Sequence, residues 1–370
     1  MDSPAVSRLR SALARQPRID LAGLPTPLVD ACRFRDALGG PSRCPRILIK
    51  RDDLTALGLG GNKARKLEFL VADAVAQGAT TLITTGAVQS NHARMTAAAA
   101  CVAGLRCVLV LTTTTADPPM AGNLLLDALY NATVRFVPSI DPMLAVGQDE
   151  AVVAEVVAEE QAAGRRPYVI PIGGSSGIGV FGYVSGTAEL VAELHAIGAS
   201  PSRLYYASGS RGTQAGLTLG AKACEAPYQV YGVAVSAGEP EKIERAKRIG
   251  NDSATRLGIA ERLELEDLVT DQGFIGEGYG ISTREGLEAI ALLAASEGVL
   301  LDPCYTSKAM AALIHHVRTG ELNPTDTIAF LHTGGVPAIF TDGFVGAFIR
   351  ESGQSPFSSS TLNRKQGQAL

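Results

Sequence analysis

Alternation constrains the fold of this chain more than any other feature. Short β-branched or apolar runs recur along it: RILIKRD, TTLITTGA, CVLVLTT, TVRFVP, YVIPIGG, RLYYASGS, QVYGVAVS and TIAFLHTGG. Between them lie longer segments such as KARKLEFLVADAVAQG, HARMTAAAACVAGL, DEAVVAEVVAEEQAAG, FGYVSGTAELVAELHAIG and SKAMAALIHHV, whose apolar residues fall at helical spacing. Runs without a polar face suit parallel strands covered by helices on both sides. The predicted class is therefore α/β and two-lobed, each lobe a twisted, mostly parallel sheet flanked by helices, with an active cleft between the lobes. No Pro-rich linker and no fixed-period repeat interrupts the pattern. The final stretch, ESGQSPFSSSTLNRKQGQAL, has no periodic apolar face, and 351–370 is expected to be a mobile tail.

Charge and composition remove several function classes. Lys and Arg number 33 against 37 Asp and Glu, a formal charge of -4, so no basic field exists to hold nucleic acid or an anionic membrane. The N-terminal segment lacks a continuous apolar core, and no stretch has the uncharged length a bilayer requires. The expectation is a soluble, cytoplasmic protein with a small-molecule partner. The 6 cysteines form no C-x-x-C pair, and of the 5 histidines only His315 and His316 are close, adjacent on a helix where they cannot face one site. No metal centre is expected.

Six segments can carry chemistry. In GLGGNKARKLEFL, Asn62 is the expected N-cap and Lys63, Arg65 and Lys66 crowd the first helical turn, where cations oppose the helix dipole. A solvated basic helix start is the bland alternative. A lysine held there among other cations instead has its ammonium form disfavoured, and a neutral amine is what condensation with an aldehyde requires. In TTLITTGAVQSNHARM, Ser90, Asn91 and His92 stand at the carboxyl end of a strand, where α/β sheets bind ligands, although Ser90 or Asn91 can serve merely as a cap. In RLYYASGSRGTQAG, Ser208, Gly209, Ser210, Arg211, Gly212 and Thr213 bring backbone N–H groups together at a helix start, which suits a phosphate dianion or is simply a tight turn. Tyr279, Tyr305, Thr306 and Thr333 lie at strand or loop ends in EGYGISTREG, LLDPCYTSKAM and FLHTGG. Gly177, Gly179 and Gly182 form a literal G-x-G-x-x-G, yet the acid expected at the end of the following strand is absent.

Taken in order, GGNKARKLEFL, QSNHAR, GNLLLD, SGSRGTQAG, LLDPCYT and HTGG resemble the D-cysteine desulfhydrase and 1-aminocyclopropane-1-carboxylate deaminase family of fold-type II pyridoxal-phosphate enzymes, from about Leu24 to about Gly346. The resemblance implies pyridoxal 5'-phosphate carried by Lys63, with the Ser208 to Thr213 loop on its phosphate and Asn91 on its phenolic oxygen. It implies Ser90 at the substrate carboxylate and α-carbon with His92 beside it, Tyr305 stacked on the cofactor, and Tyr279 pointing at the substrate. Residues 1–66 and 174–350 would form the large cofactor-binding domain and 67–173 a small domain inserted in it; a homodimer is expected.

Ring-opening deaminases that resemble this chain carry glutamate and leucine where Thr306 and Thr333 stand, whereas desulfhydrases carry small hydroxyl residues. A neutral hydroxyl makes a weaker electron sink than a carboxylate, which is enough to expel sulfide. Ser282 and Ser307 depart from a proline and a glycine common in relatives. The expected activity is elimination from D-cysteine to pyruvate, sulfide and ammonia. L-cysteate sulfo-lyase and aminocyclopropane carboxylate deaminase activities are the near rivals, and a nicotinamide-dependent oxidoreductase or a non-catalytic binder the distant ones.

Overall fold

A computed structural model describes residues 2–139, 148–238 and 240–352; most of the expected tail, 353–370, lies outside the described residues. The strands are β1 (Leu28–Asp30), β2 (Arg46–Lys50), β3 (Thr81–Ala87), β4 (Arg106–Thr113), β5 (Thr133–Pro138), β6 (Pro167–Ile170), β7 (Arg203–Ser208), β8 (Gln229–Ala234), β9 (Thr270–Asp271) and β10 (Thr327–Leu331). The helices are α1 (Pro4–Leu13), α2 (Cys32–Ala37), α3 (Lys63–Ala76), α4 (Asn91–Ala103), α5 (Gly122–Leu129), α6 (Gln148–Ala162), α7 (Gly177–Ala196), α8 (Gly212–Cys224), α9 (Glu241–Leu257), α10 (Arg284–Glu297), α11 (Thr306–Arg318) and α12 (Asp342–Ser352). No described helix is long and apolar enough to cross a membrane.

Two sheets result, one of 6 strands ordered β1-β2-β10-β7-β8-β9 and one of 4 ordered β5-β4-β3-β6. Every pairing is parallel except β1 with β2. The strand period of two explains the layers. Ile47 and Ile49, Tyr205, and Ile328 and Phe330 turn to the face covered by α10 and α11. Leu48, Leu204 and Tyr206, and Ala329 and Leu331 turn to the face covered by α7 and α8. In the smaller sheet, Leu82, Leu109 and Leu111 pack on α3 and α4, while Ile83, Val108 and Val110 pack toward α6. Each fully buried aliphatic side chain of this kind stabilises the fold by about 1.5–3 kcal/mol.

The G-x-G-x-x-G segment is helical from Gly177, with Ser176 as N-cap accepting from Gly179 N at 3.2 Å. Its glycines serve helix packing. A Cβ on Gly182 would lie 2.5 Å from the Arg65 backbone on α3, and one on Gly179 2.0 Å from Gly174 O.

Candidate active site

A cavity of about 700 Å³ opens at the carboxyl ends of β3, β4, β7 and β8 and takes its walls from both sheets. That is the size and position expected of a small-molecule site in an open α/β fold. Lys63, Ser90, Asn91, His92, Ser208, Gly209, Ser210, Arg211, Thr213, Tyr279, Tyr305 and Thr333 all line it.

Lys63 is placed by a turn that few residues could make. Gly58, Leu59, Gly60 and Gly61 have φ of 50°, 64°, 73° and 129°, and a Cβ on Gly60 would fall 1.8 Å from Asp53 O. Arg94 on α4 holds the turn by donating to Gly58 O and, at 3.1 Å, to Gly60 O. Asn62 precedes the helix without capping it: its Oδ1 accepts from Lys63 Nζ at 2.9 Å and its Nδ2 donates to Thr213 Oγ1 at 3.2 Å. Burial and then Arg94 lower the Lys63 pKa to about 8, with Asp302 acting in the opposite direction.

The three cations expected to crowd one turn separate in space. Arg65 is buried and paired with Asp52 and Glu189. Lys66, fully buried, donates to Gly173 O at 3.0 Å, and no carboxylate among the described residues pairs with it. Burial pushes its pKa well down, and Lys63 and Arg245 add to this.

Ser90 does cap α4, its Oγ accepting from Ala93 N at 3.2 Å, but it is also on the cavity wall, and none of the described residues accepts its hydrogen. Asn91 Oδ1 accepts from Asn123 Nδ2 at 2.9 Å, which leaves its own amide to donate. His92 Nε2 lies 2.9 Å from Thr84 Oγ1, whose hydrogen goes to Ile170 O, so Nε2 carries a ring hydrogen. Burial, then Lys63 and Lys66, hold its pKa well below the usual range.

In the loop after β7, Arg211 adopts φ 69° and turns its guanidinium beneath the loop, donating to Ser208 Oγ at 2.7 Å and Gln214 Oε1 at 2.9 Å. Gly212 is not on the wall; its N–H donates to Ser175 Oγ, 3.2 Å away. Tyr279 and Tyr305 meet edge to face with ring centres 5.7 Å apart and hydroxyls in contact.

Thr306 departs from expectation. It is fully buried off the wall, donating to Asp302 Oδ1 at 2.7 Å and accepting from Asp302 N at 2.8 Å, so of the two threonines only Thr333 reaches the cavity. Asp302 itself escaped the sequence reading. It accepts from the N–H groups of Cys304, Tyr305 and Thr306 and fixes the start of α11; an acid shortly before a helix start was the available signal. Arg94, Asn123 and Ser175 were also missed, and Lys66 was noticed only as a charge at the helix start, because their partners are distant in sequence.

Fold and site together define an α/β enzyme with a buried amine poised at the carboxyl ends of two sheets. The family model described as pyridoxal-phosphate dependent enzyme matches residues 19–334, and the chain belongs to that family. A D-cysteine desulfhydrase of Salmonella choleraesuis (strain SC-B67) is 42% identical over 333 residues, 89% of this chain and 97% of that protein. The crystal structure of an ACC deaminase homologue superposes with a TM-score of 0.82 at 33% identity, covering 93% of this chain and 99% of the other. A pyridoxal 5'-phosphate-dependent aspartate racemase, 16% identical with a TM-score of 0.61 over 90% and 96% of the two chains, shares the fold.

The residues present fit that cofactor. Where its phosphate would bind, Lys66 is a buried amine with no anionic partner among the described residues, and Ser175 and Ser210 hydroxyls lie 2.9 Å apart at the N-terminus of α8. A Cβ on Gly212 would come within 2.8 Å of Lys66 Nζ, so glycine keeps that space open. A dianion there would meet the Lys66 amine, two serine hydroxyls and the N-terminus of α8.

Proposed function

We propose that this protein is a pyridoxal-phosphate-dependent lyase that converts D-cysteine and water to pyruvate, sulfide and ammonia. The observation that carries the reading is its 42% identity to a D-cysteine desulfhydrase across 97% of that protein. When bound, pyridoxal phosphate supplies a conjugated system that accepts the electron pair left at the α-carbon.

Lys63 would hold the cofactor, with its phosphate in the Ser208 to Thr213 loop beside Lys66 and Ser175. Asn91 and Thr333 would meet polar edges of the ring, and Tyr305 its face. Lys63 would also serve as the base for the α-proton: burial and Arg94 lower its amine to about 8, so at about pH 8 half of it is neutral. The free hydrogen of Ser90 suits the substrate carboxylate, and neutral His92 adds no charge against it. Tyr279 faces the reacting side. Thr333 brings a neutral hydroxyl to the cavity wall, and sulfide departs without a sink strengthened by a carboxylate.

The division into 1–66 with 174–350 and an inserted 67–173 rests on the smaller sheet, whose strands all fall between Thr81 and Ile170. Cytoplasmic residence is supported by the cysteines, all 6 of them free thiols. A homodimer is supported by the exposed Leu125 and Leu129 on α5 and is tested by sedimentation at micromolar concentration. The activity is tested with D-cysteine, L-cysteine, L-cysteate and aminocyclopropane carboxylate, following pyruvate, sulfide, sulfite and 2-oxobutanoate. Preferred release of sulfide from D-cysteine is expected; preferred turnover of L-cysteate or of the cyclopropane overturns the reading.

A further inference from the structure

Lys308 is fully buried on the first turn of α11, and the roles above make no use of it. No carboxylate among the described residues pairs with it. Its ammonium instead donates to two backbone carbonyls, Ile275 O at 2.7 Å and Gly278 O at 2.8 Å. Burying an ammonium against carbonyls alone is costly, so the contact is expected to fix something that would otherwise move.

What it fixes is the cavity-wall arc that carries Tyr279, running through Ile275, Gly276, Glu277 and Gly278. The arc has little stiffness of its own. Gly276 and Gly280 sit at φ 69° and 76°, no regular element spans 272–283, and glycine resists ordering more than any other residue. Tyr305, by contrast, immediately precedes α11, where the Asp302 carboxylate holds its N–H. Lys308 thus ties the mobile partner of the tyrosine pair to the helix that holds the rigid one.

We infer that Lys308 is a positioning residue, clamping the 275–280 arc so that the Tyr279 ring meets the Tyr305 edge and its hydroxyl faces the substrate. The inference rests on the proposed role of Tyr279 at the substrate, but the clamp itself can be read without turnover.

The test compares Lys308→Met, which keeps the length and loses the donors, with Lys308→Gln, which can still donate to a carbonyl. Both are made in the wild-type and Tyr279→Phe backgrounds of the holoenzyme. Hydrogen exchange by mass spectrometry should show the 276–282 amides exchanging about tenfold faster or more in Lys308→Met, less so in Lys308→Gln, with α11 unchanged. With D-cysteine, kcat/KM should fall about tenfold to a hundredfold in Lys308→Met, while the visible spectrum of the bound cofactor persists. In the Tyr279→Phe background the same change should cost less than about threefold. Wild-type exchange in the arc of both variants overturns the clamp. An undiminished loss in the Tyr279→Phe background overturns action through Tyr279. If wild type does not turn over D-cysteine at all, the proposed function fails and the exchange measurement alone decides on Lys308.

Discussion

At Lys63 two effects that a sequence can only suggest become specific. Burial is the larger, and the Arg94 guanidinium across the glycine turn adds to it, together bringing the amine to about 8. Because the neutral form gains above that value, uptake of pyridoxal phosphate by the apo chain should accelerate as pH rises through about 8 and then level off; stopped-flow absorbance across pH 6–10 checks this. Lys63→Ala should abolish stable cofactor attachment and turnover. Borohydride reduction with peptide mapping should place the pyridoxyl group on Lys63 and leave Lys50, Lys66 and Lys308 unlabelled. Ser90 is the subtler case, since it caps α4 and lines the cavity at once. A hydrogen bond to a charged carboxylate contributes about 1.5–3 kcal/mol, so Ser90→Ala should lower kcat/KM by roughly tenfold to a few hundredfold with the cofactor spectrum intact. If kinetics are unchanged, Ser90 is a cap and nothing more.

At the scale of elements, the apolar runs gave away their strands because both faces of β2, β3, β4, β7, β8 and β10 are covered. The strands that escaped were β1 and β9, of 3 and 2 residues, too short for any period to register. The start of α7 was misplaced because its glycines look like a loop, and only their close approaches, Gly177 to Asp252 on α9, Gly179 to Gly174 O and Gly182 to the Arg65 backbone on α3, show them to be packing residues. Motif order located most of the cavity wall, yet Thr306 shows its limit: position in a motif does not say which way a hydroxyl turns. Thr306 instead belongs with Asp302 at the head of α11. Asp302→Ala strips acceptors from the Cys304, Tyr305 and Thr306 N–H groups, so it should destabilise the fold by about 2–4 kcal/mol and raise KM by loosening Tyr305. Denaturant unfolding beside steady-state kinetics measures both. Thr306→Glu should be similarly disruptive, because it sets a second buried carboxylate against Asp302.

For the whole molecule, the most consequential buried group outside the cavity is Asp127 on α5, within the GNLLLD motif. It is fully buried and neither carboxylate oxygen has a hydrogen-bond partner among the described residues. Burial raises its pKa to about 8, with Arg94 offsetting only part of the effect. The sign for stability follows from proton counting. In the unfolded chain this carboxyl ionises near 3.9, so between about 4 and about 8 the folded state holds a proton that the unfolded state has lost. Stability from this group is therefore greatest below about pH 4 and declines as pH rises toward 8, above which the folded protein carries an unpaired buried charge. The decline is on the order of a few kcal/mol, opposite in direction to the usual salt-bridged carboxylate. Asp127→Asn, of nearly the same shape and unable to ionise, should leave stability at pH 4 close to wild type and raise the thermal midpoint at pH 8.5 by about 3 °C or more. Calorimetric melts of both proteins at the two pH values decide it: a midpoint difference that does not grow with pH means that Asp127 is ionised and accommodated in the fold.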